Sequence, residues 1–129
     1  MLFDTTFLID AERAGDDLDE VIADDDDVAI ATITVAELQV GVELSQGKAR
    51  TRRQGFLNDV LATIPLIDYD VDVAEAHAKL LVAVRRQGRP RGAHDLQIAA
   101  TAVASNRTVV TADDAAFTNL PGVEVRHHP

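Results

Sequence analysis

The chain has 129 residues, 47% of them apolar, no cysteine and a formal net charge of −10. That length and apolar content suit one domain around one core. The lack of cysteine excludes disulfides, thiolate metal sites and a cysteine nucleophile, and fits a reducing compartment. No apolar run approaches the about 20 residues that span a bilayer, and the start Met-Leu-Phe-Asp carries no basic leader region, so a cytoplasmic protein is expected. The acidic balance argues against a general nucleic-acid binder, but the charge is uneven. Eleven of the 22 acids lie in residues 1–27, and eight of the 12 basic residues form two clusters: Lys48, Arg50, Arg52, Arg53, and Arg85, Arg86, Arg89, Arg91. An acidic protein can still present a basic rim locally.

In chain order, residues 1–4 read as a short strand and Thr5 to Arg13 as a helix that follows at once. Gly15 breaks it, and Asp17 to Ile22 reads as a second short helix. The run Asp24–Asp27 is expected to be a solvated turn. Val28 to Thr32 is a short β-branched apolar run, hence a buried strand. Thr34 is expected to open a helix to about Leu44, Gly47 to end that segment, and Ala49 to Leu61 to resume as a helix. Ile64 to Ile67 reads as a third strand. Val71 to Gln87 is amphipathic, with Gly88 placed as its C-cap. Gly88-Arg89-Pro90-Arg91-Gly92 must be a loop. Asp95 to Ser105 is an alanine-rich helix, Thr108 to Thr111 a fourth strand, Asp113 to Phe117 one helical turn and Val123 to Val125 a last strand, so that residues 1–126 form one domain and 127–129 a loose tail. Strands alternating with helices imply an α/β sandwich with a mostly parallel sheet of four to five strands.

Four acids punctuate this pattern: Asp4, Glu37, Asp95 and Asp113. Each follows a strand or opens a helix, and open parallel sheets bind ligands beyond the carboxyl ends of their strands. Each also has a structural reading. Glu37 stands three residues after Thr34, the spacing of a capping box. Asp95 suits the positive end of a helix, and Asp113 can cap the turn that follows it. Asp4 is harder to explain this way, since an acid at the inner end of a first strand tends toward burial and needs partners. If the four converge, they repel one another unless a hard cation compensates. Mg²⁺ or Mn²⁺ takes oxygen donors, and such ions support phosphoryl displacement without a histidine, cysteine or serine nucleophile.

Asp4-Thr5-Thr6-Phe7-Leu8-Ile9, Thr34-Val35-Ala36-Glu37-Leu38-Gln39-Val40-Gly41, His94-Asp95-Leu96-Gln97-Ile98-Ala99-Ala100 and Thr108-Val109-Val110-Thr111-Ala112-Asp113 together resemble the four acidic motifs of PIN-domain ribonucleases. The resemblance runs from residue 1 to about residue 125. Chain length, the Leu-x-x-Gly after Glu37 and the glycine-containing loop before Asp95 most resemble the VapC toxins of bacterial toxin–antitoxin pairs. The resemblance implies a PIN-like α/β/α sandwich and a Mg²⁺-dependent endoribonuclease, with Mn²⁺ able to substitute. It implies that Asp4 and Asp95 are the principal metal ligands and that Glu37 and Asp113 complete the site directly or through water. It places the hydroxyls of Thr6 and Thr111 near the metal. Asp114 directly follows Asp113, which leaves open which of the two reaches the metal. The resemblance further implies a small antitoxin chain as partner, a homodimer and hetero-oligomers with the antitoxin. The antitoxin is expected to lay a helix in an apolar groove and to bring a basic residue to the acids.

Arg85, Arg86, Arg89 and Arg91 are candidate contacts to RNA phosphates, and the alternative is a solvated helix end. Lys48 to Arg53 is a second candidate cluster. His77 falls among apolar residues and reads as a core or interface histidine, and His127-His128 as part of the tail. With one Tyr, four Phe and no Trp there is no evident stacking platform for bases, so RNA recognition is expected to rest on shape and phosphates. Two other functions compete: a phosphatase or phosphotransferase with Asp4 as nucleophile, although position 6 is Thr rather than the Asp of an Asp-x-Asp motif, and a non-catalytic acidic binding module.

Overall fold

A computed structural model describes residues 1–22 and 27–128. The expected turn at Asp24–Asp27 lies outside these residues except for Asp27, whose carboxylate pairs with Arg107 at 3.2 Å. In chain order the elements are β1 (Leu2–Phe3), α1 (Thr5–Ala14), α2 (Leu18–Val21), β2 (Ile30–Ala31), α3 (Thr32–Glu43), α4 (Gly47–Thr63), β3 (Leu66–Ile67), α5 (Val71–Gln87), α6 (Ala93–Ala104), β4 (Val109–Thr111), a 3-10 turn (Asp114–Ala116) and β5 (Val125–His127).

All strand pairs are parallel. One ladder runs β1-β4-β5 and another β2-β3. A bridge from Leu2 to Ala29 joins them, with Phe3 N donating to Ala29 O at 3.1 Å and Ala29 N to Met1 O at 3.0 Å. The strands therefore run in the order β3-β2-β1-β4-β5. From β1 the chain steps outward to β2 and β3, then crosses back to β4 on the other side of β1. The order reverses between β1 and β4, and such a switch point opens a crevice at the carboxyl ends of its two strands.

Neighbouring strand residues point to opposite faces, and the core divides accordingly. Leu2, Ala29, Ala31 and Val109 pack against α5 and α6 through Val73, Leu80, Leu96 and Ala99, together with Phe117. Phe3, Ile30 and Val110 pack against α1, α3 and α4 through Phe7, Leu8, Leu38, Val42, Leu57 and Val60. The result is the expected α/β/α sandwich. Helix α5 ends as expected, with Gly88 at φ +65 donating its N–H to Val84 O.

Four sequence expectations are corrected. Helix α3 starts at Thr32, directly after β2, without a side-chain cap; Thr34 is an interior, fully buried residue, so no capping box forms with Glu37. Gly47 opens α4 rather than ending the preceding segment, and the actual break is Leu44–Gln46. Residues 127 and 128 are not a loose tail. His127 pairs with Thr111 in β5, His128 N donates to Thr111 O at 2.8 Å, and the His128 ring meets Phe7 edge-on at 5.0 Å. Val123-Glu124-Val125 has the alternation of a strand, but β4 recruits the chain two residues later.

Candidate metal centre

Asp4 leaves β1 and caps α1, so one residue ends a strand and opens a helix. It is 1% exposed. A carboxylate this buried requires partners, and local sequence provides them. Oδ1 accepts the Phe7 N–H at 2.9 Å, as an N-cap does. The Thr6 hydroxyl is shared between both carboxylate oxygens at 2.9 Å. From β4, the Thr111 hydroxyl donates a short hydrogen bond to Oδ2. Both hydroxyls also accept: Ala112 N donates to Thr6 Oγ1 at 3.2 Å, and Asp113 N to Thr111 Oγ1 at 2.9 Å. Two amides of the segment after β4 are thus relayed through threonines to Asp4, which ties together the two strand ends at the switch point. Thr6 and Thr111 both contact the Asp4 carboxylate.

Glu37 projects from the first part of α3. Its Oε1 accepts the Thr5 hydroxyl at 2.7 Å, and that hydroxyl lies 3.3 Å from Thr34 Oγ1. Its Oε2 lies 3.4 Å from His94 Nδ1. Asp95, in the first turn of α6, folds back toward Gly92, where a Cβ would stand 2.9 Å from Asp95 Oδ2. The missing side chain at Gly92 leaves that carboxylate its room.

Burial raises the Asp4 carboxyl above its ordinary value of 3.8. The hydrogen bonds from Thr111, Phe7 and Thr6 pull the other way, and the charge of Asp113 adds to the rise. Asp95 is also raised, by burial first and then by the charges of Glu37, Asp4 and Asp113, with His94 opposing. The four acids predicted from the sequence therefore share one electrostatic neighbourhood. Asp113 acts on both raised carboxyls. Asp114 acts on neither; it opens the 3-10 turn and lines a separate hollow with Phe117, Asn119 and His127.

The donors fit a hard divalent cation: carboxylates and hydroxyls only, at a concentration of negative charge that burial and mutual repulsion make costly. Among the described residues, no group of three or more His, Asp or Glu side chains is arranged to hold a metal ion.

Sequence reasoning did not single out Thr5, Gly92 or His94. The consecutive hydroxyls after Asp4 and the base beside Asp95 were the available signals. The arginines divide. Arg85, Arg86 and Arg89 are exposed. The Arg91 guanidinium binds two backbone carbonyls, Ala116 O at 3.1 Å and Thr118 O at 2.7 Å. In the other cluster Arg50 pairs with Glu43 at 3.3 Å, Arg52 with Glu12 at 2.9 Å, and Arg53 donates to Gly41 O at 3.1 Å. His77, expected in a core or interface, is half-buried and shares a 2.8 Å hydrogen bond with the Tyr69 hydroxyl.

The PIN domain family profile matches residues 1–123. Ribonuclease VapC5 of Mycobacterium tuberculosis is 35% identical over 127 residues, covering 96% of this chain and 92% of the relative. Ribonuclease VapC2 of Rickettsia felis is 32% identical over 104 residues, covering 81% and 76%. Among solved structures, VapBC2 from Rickettsia felis, bound to a DNA fragment from its promoter, superposes with a TM-score of 0.88 at 27% identity, covering 99% of this chain and 98% of the other. VapBC-5 from Mycobacterium tuberculosis, a member of the VapBC family of toxin–antitoxin systems, superposes with a TM-score of 0.77 at 29% identity over 98% and 97%. The switch-point acids, the α/β/α layers and these full-length similarities agree, and the chain belongs to the PIN-domain family and, within it, to the VapC group.

Proposed function

We propose that the chain is a Mg²⁺-dependent endoribonuclease of the cytoplasm, the toxin of a toxin–antitoxin pair, which cleaves structured RNA by hydrolysis. The observation that carries this reading is that Asp4 and Asp95 are both raised by burial and by neighbouring acids, Asp113 acting on both and Glu37 on Asp95. Relatives named as ribonucleases supply the substrate class.

Asp4 and Asp95 would hold the ion, with Glu37 and Asp113 completing the site. When bound, such an ion acts as a Lewis acid on phosphoryl oxygens and makes water a better nucleophile near neutral pH. The protein contributes position. Thr6, Thr111 and the Phe7 amide fix Asp4, Thr5 fixes Glu37, and the start of α6 presents Asp95. Arg85, Arg86 and Arg89 carry no side-chain ion pair or hydrogen bond among the described residues and are the better candidates for RNA phosphates. Phe3, Phe7 and Phe117 are buried, leaving the exposed Tyr69 and the partly buried Phe56 as the accessible rings, and recognition is proposed to rest mainly on RNA shape and phosphates. The nucleophilic-aspartate alternative is disfavoured, because position 6 is Thr6 rather than the second aspartate of an Asp-x-Asp motif and the relatives are named as ribonucleases.

For the antitoxin, a hollow of about 120 Å³ between α1, α3 and α4 is lined by Ile9, Leu38, Phe56 and Leu57 and reaches Glu37. An amphipathic helix laid there would bring a basic side chain to the acids, where a cation occupies the same electrostatic niche as the metal. The toxin is proposed to form a homodimer and hetero-oligomers with the antitoxin. Purified protein should cleave a structured RNA with Mg²⁺ or Mn²⁺ and not with EDTA, and Asp4→Asn and Asp95→Asn should each abolish cleavage. Cleavage that survives both substitutions with metal binding unaltered overturns the proposal.

A further inference from the structure

The segment after β4 carries Asp113, whose N–H is held by Thr111 and whose carbonyl accepts from Ala116 N at 3.3 Å, but whose side chain is not held within the segment. Asp113 is exposed, its side chain makes no capping hydrogen bond, and the turn that follows spans only Asp114–Ala116. Beyond the turn, Phe117 is fully buried and Asn119 sits at φ +64. Three carbonyls of this stretch are held from outside, all by the α5 end and the loop after it. Arg91 donates to Ala116 O and Thr118 O, and the Gln87 side chain donates to Asn119 O at 2.9 Å. A guanidinium that bridges two carbonyls fixes both distance and orientation, which an ammonium cannot do.

Arg91 also borders the Asp95 side. The next residue, Gly92, caps α6, and Leu96 N donates to Gly92 O at 3.1 Å. One side chain therefore links the start of the helix bearing Asp95 to the turn that follows Asp113. We infer that Arg91 is a positioning residue that sets the separation of Asp95 and Asp113, and that it acts on the metal site through Asp113 rather than by touching RNA. The inference rests on the metal-dependent reading above and deepens it.

The test is a double-substitution cycle read by direct Mn²⁺ binding, using electron paramagnetic resonance to follow free ion. Arg91→Met keeps the stem and removes the fork. In the unsubstituted background it should weaken Mn²⁺ binding by about tenfold, the low end of what partners of metal ligands contribute. In an Asp113→Asn background the same change should have no further effect, because coupled groups are non-additive. Arg91→Lys, which folds with least disturbance, should recover part of the loss. In RNA cleavage, the Mn²⁺ needed for half-maximal rate should rise while KM for RNA stays constant. Equal weakening in both backgrounds would make Arg91 general scaffold and overturn the assignment, as would a raised KM with unchanged Mn²⁺ dependence. Failure of the unsubstituted chain to bind Mn²⁺ would overturn the nuclease reading together with this one. Normal binding without Arg91–Asp113 coupling would overturn this one alone.

Discussion

Asp4 and Asp113 follow adjacent strands, lie in each other's electrostatic field, and have opposite freedom. Asp4 is buried, caps a ten-residue helix and accepts hydrogen bonds from two hydroxyls and an amide. Asp113 is exposed and precedes a single turn; its backbone is held through Thr111, and its side chain makes no capping bond. The difference follows from where the cores end. Phe3 and Val110 are covered by α1 and its neighbours up to the strand ends, whereas the chain after Thr111 runs over the surface until Phe117 re-enters the core. One acid is a fixed reference point, and the other can adjust. The buried carboxylate is held by three donors, whereas the exposed one makes no capping bond of its own.

The comparison predicts unequal losses. Asp4→Asn should lower kcat by at least about 10³-fold, the scale of removing a preorganised charge from a reaction centre, with the fold intact. The threonine hydroxyls can rotate to accept from the new amide, and the new Oδ1 can still take the Phe7 N–H. Asp113→Asn should cost about tenfold, in the manner of a supporting ligand. Single-turnover cleavage of one RNA at saturating Mn²⁺ measures both. Equal losses would break the distinction between a fixed and an adjustable acid.

Stability should move in opposite directions for the acid and for its hydroxyl partner. The Asp4 carboxyl is raised above 3.8 in the folded chain. Between the unfolded and folded values the native state binds more protons, so stability falls as pH rises from 3.8 through the folded value and stays low above it. Without metal at pH 7, Asp4→Asn should therefore raise Tm, by roughly 3 °C for each ~1 kcal/mol recovered at this chain length. Thr111→Val should lower Tm, because it removes the Asp113 N–H's acceptor and leaves Asp4 Oδ2 only its share of the Thr6 hydroxyl, at a cost of about 1–3 kcal/mol. It also removes the largest of the effects that hold the Asp4 pKa down. Its penalty should accordingly be greater at pH 7 than at pH 4, and Mg²⁺ should raise Tm more at pH 7 than at pH 4. Thermal melts at the two pH values, with EDTA or Mg²⁺, decide this. A Thr111→Val penalty independent of pH would sever the hydroxyl from the charge of Asp4.

The order of the acids and the helix over Val71–Gln87 with its glycine cap were legible because each depends on local chemistry: periodicity, capping and strand ends; Thr6 and Thr111 were singled out only by the resemblance to the PIN-domain motifs. Strand order was not legible. Residues of β1 and β4 pair across more than a hundred positions, and no local pattern encodes that register. Thr34-Val35-Ala36-Glu37 reads as a capping box, yet the chain passes from Ala31 straight into helix, and the threonine hydroxyl turns inward to Thr5. The alternating Val123-Glu124-Val125 suits strand pairing in more than one register, and contact with β4 chooses the later one. Arg91 looked like its neighbours Arg85, Arg86 and Arg89 until the carbonyls of residues 116 and 118 came within reach.

Gly92→Ala tests the adjustable side more gently. Gly92 has φ −58, a value any residue adopts, so the backbone should tolerate alanine. The new methyl would stand 2.9 Å from Asp95 Oδ2, and the carboxylate must turn away. Because Asp95 is half-buried rather than clamped, it can turn, and the expected result is Mn²⁺ binding weakened by up to about tenfold with Tm little changed. Unchanged binding would mean that Asp95 reaches the ion from another rotamer.

The smallest effect is expected at Asp114. It neighbours Asp113 in sequence, but its charge contributes to neither raised carboxyl, and it lies on the side of the hollow formed with Phe117 and His127. Its carbonyl, not its side chain, organises the turn, accepting from Phe117 N at 3.0 Å and from the Thr118 hydroxyl at 2.7 Å. Asp114→Asn preserves that carbonyl and should leave cleavage and Mn²⁺ affinity within about twofold, the scale of a surface substitution. If it instead equals Asp113→Asn, the turn presents both acids to the ion, and the adjustable half of the site is a pair of carboxylates rather than one.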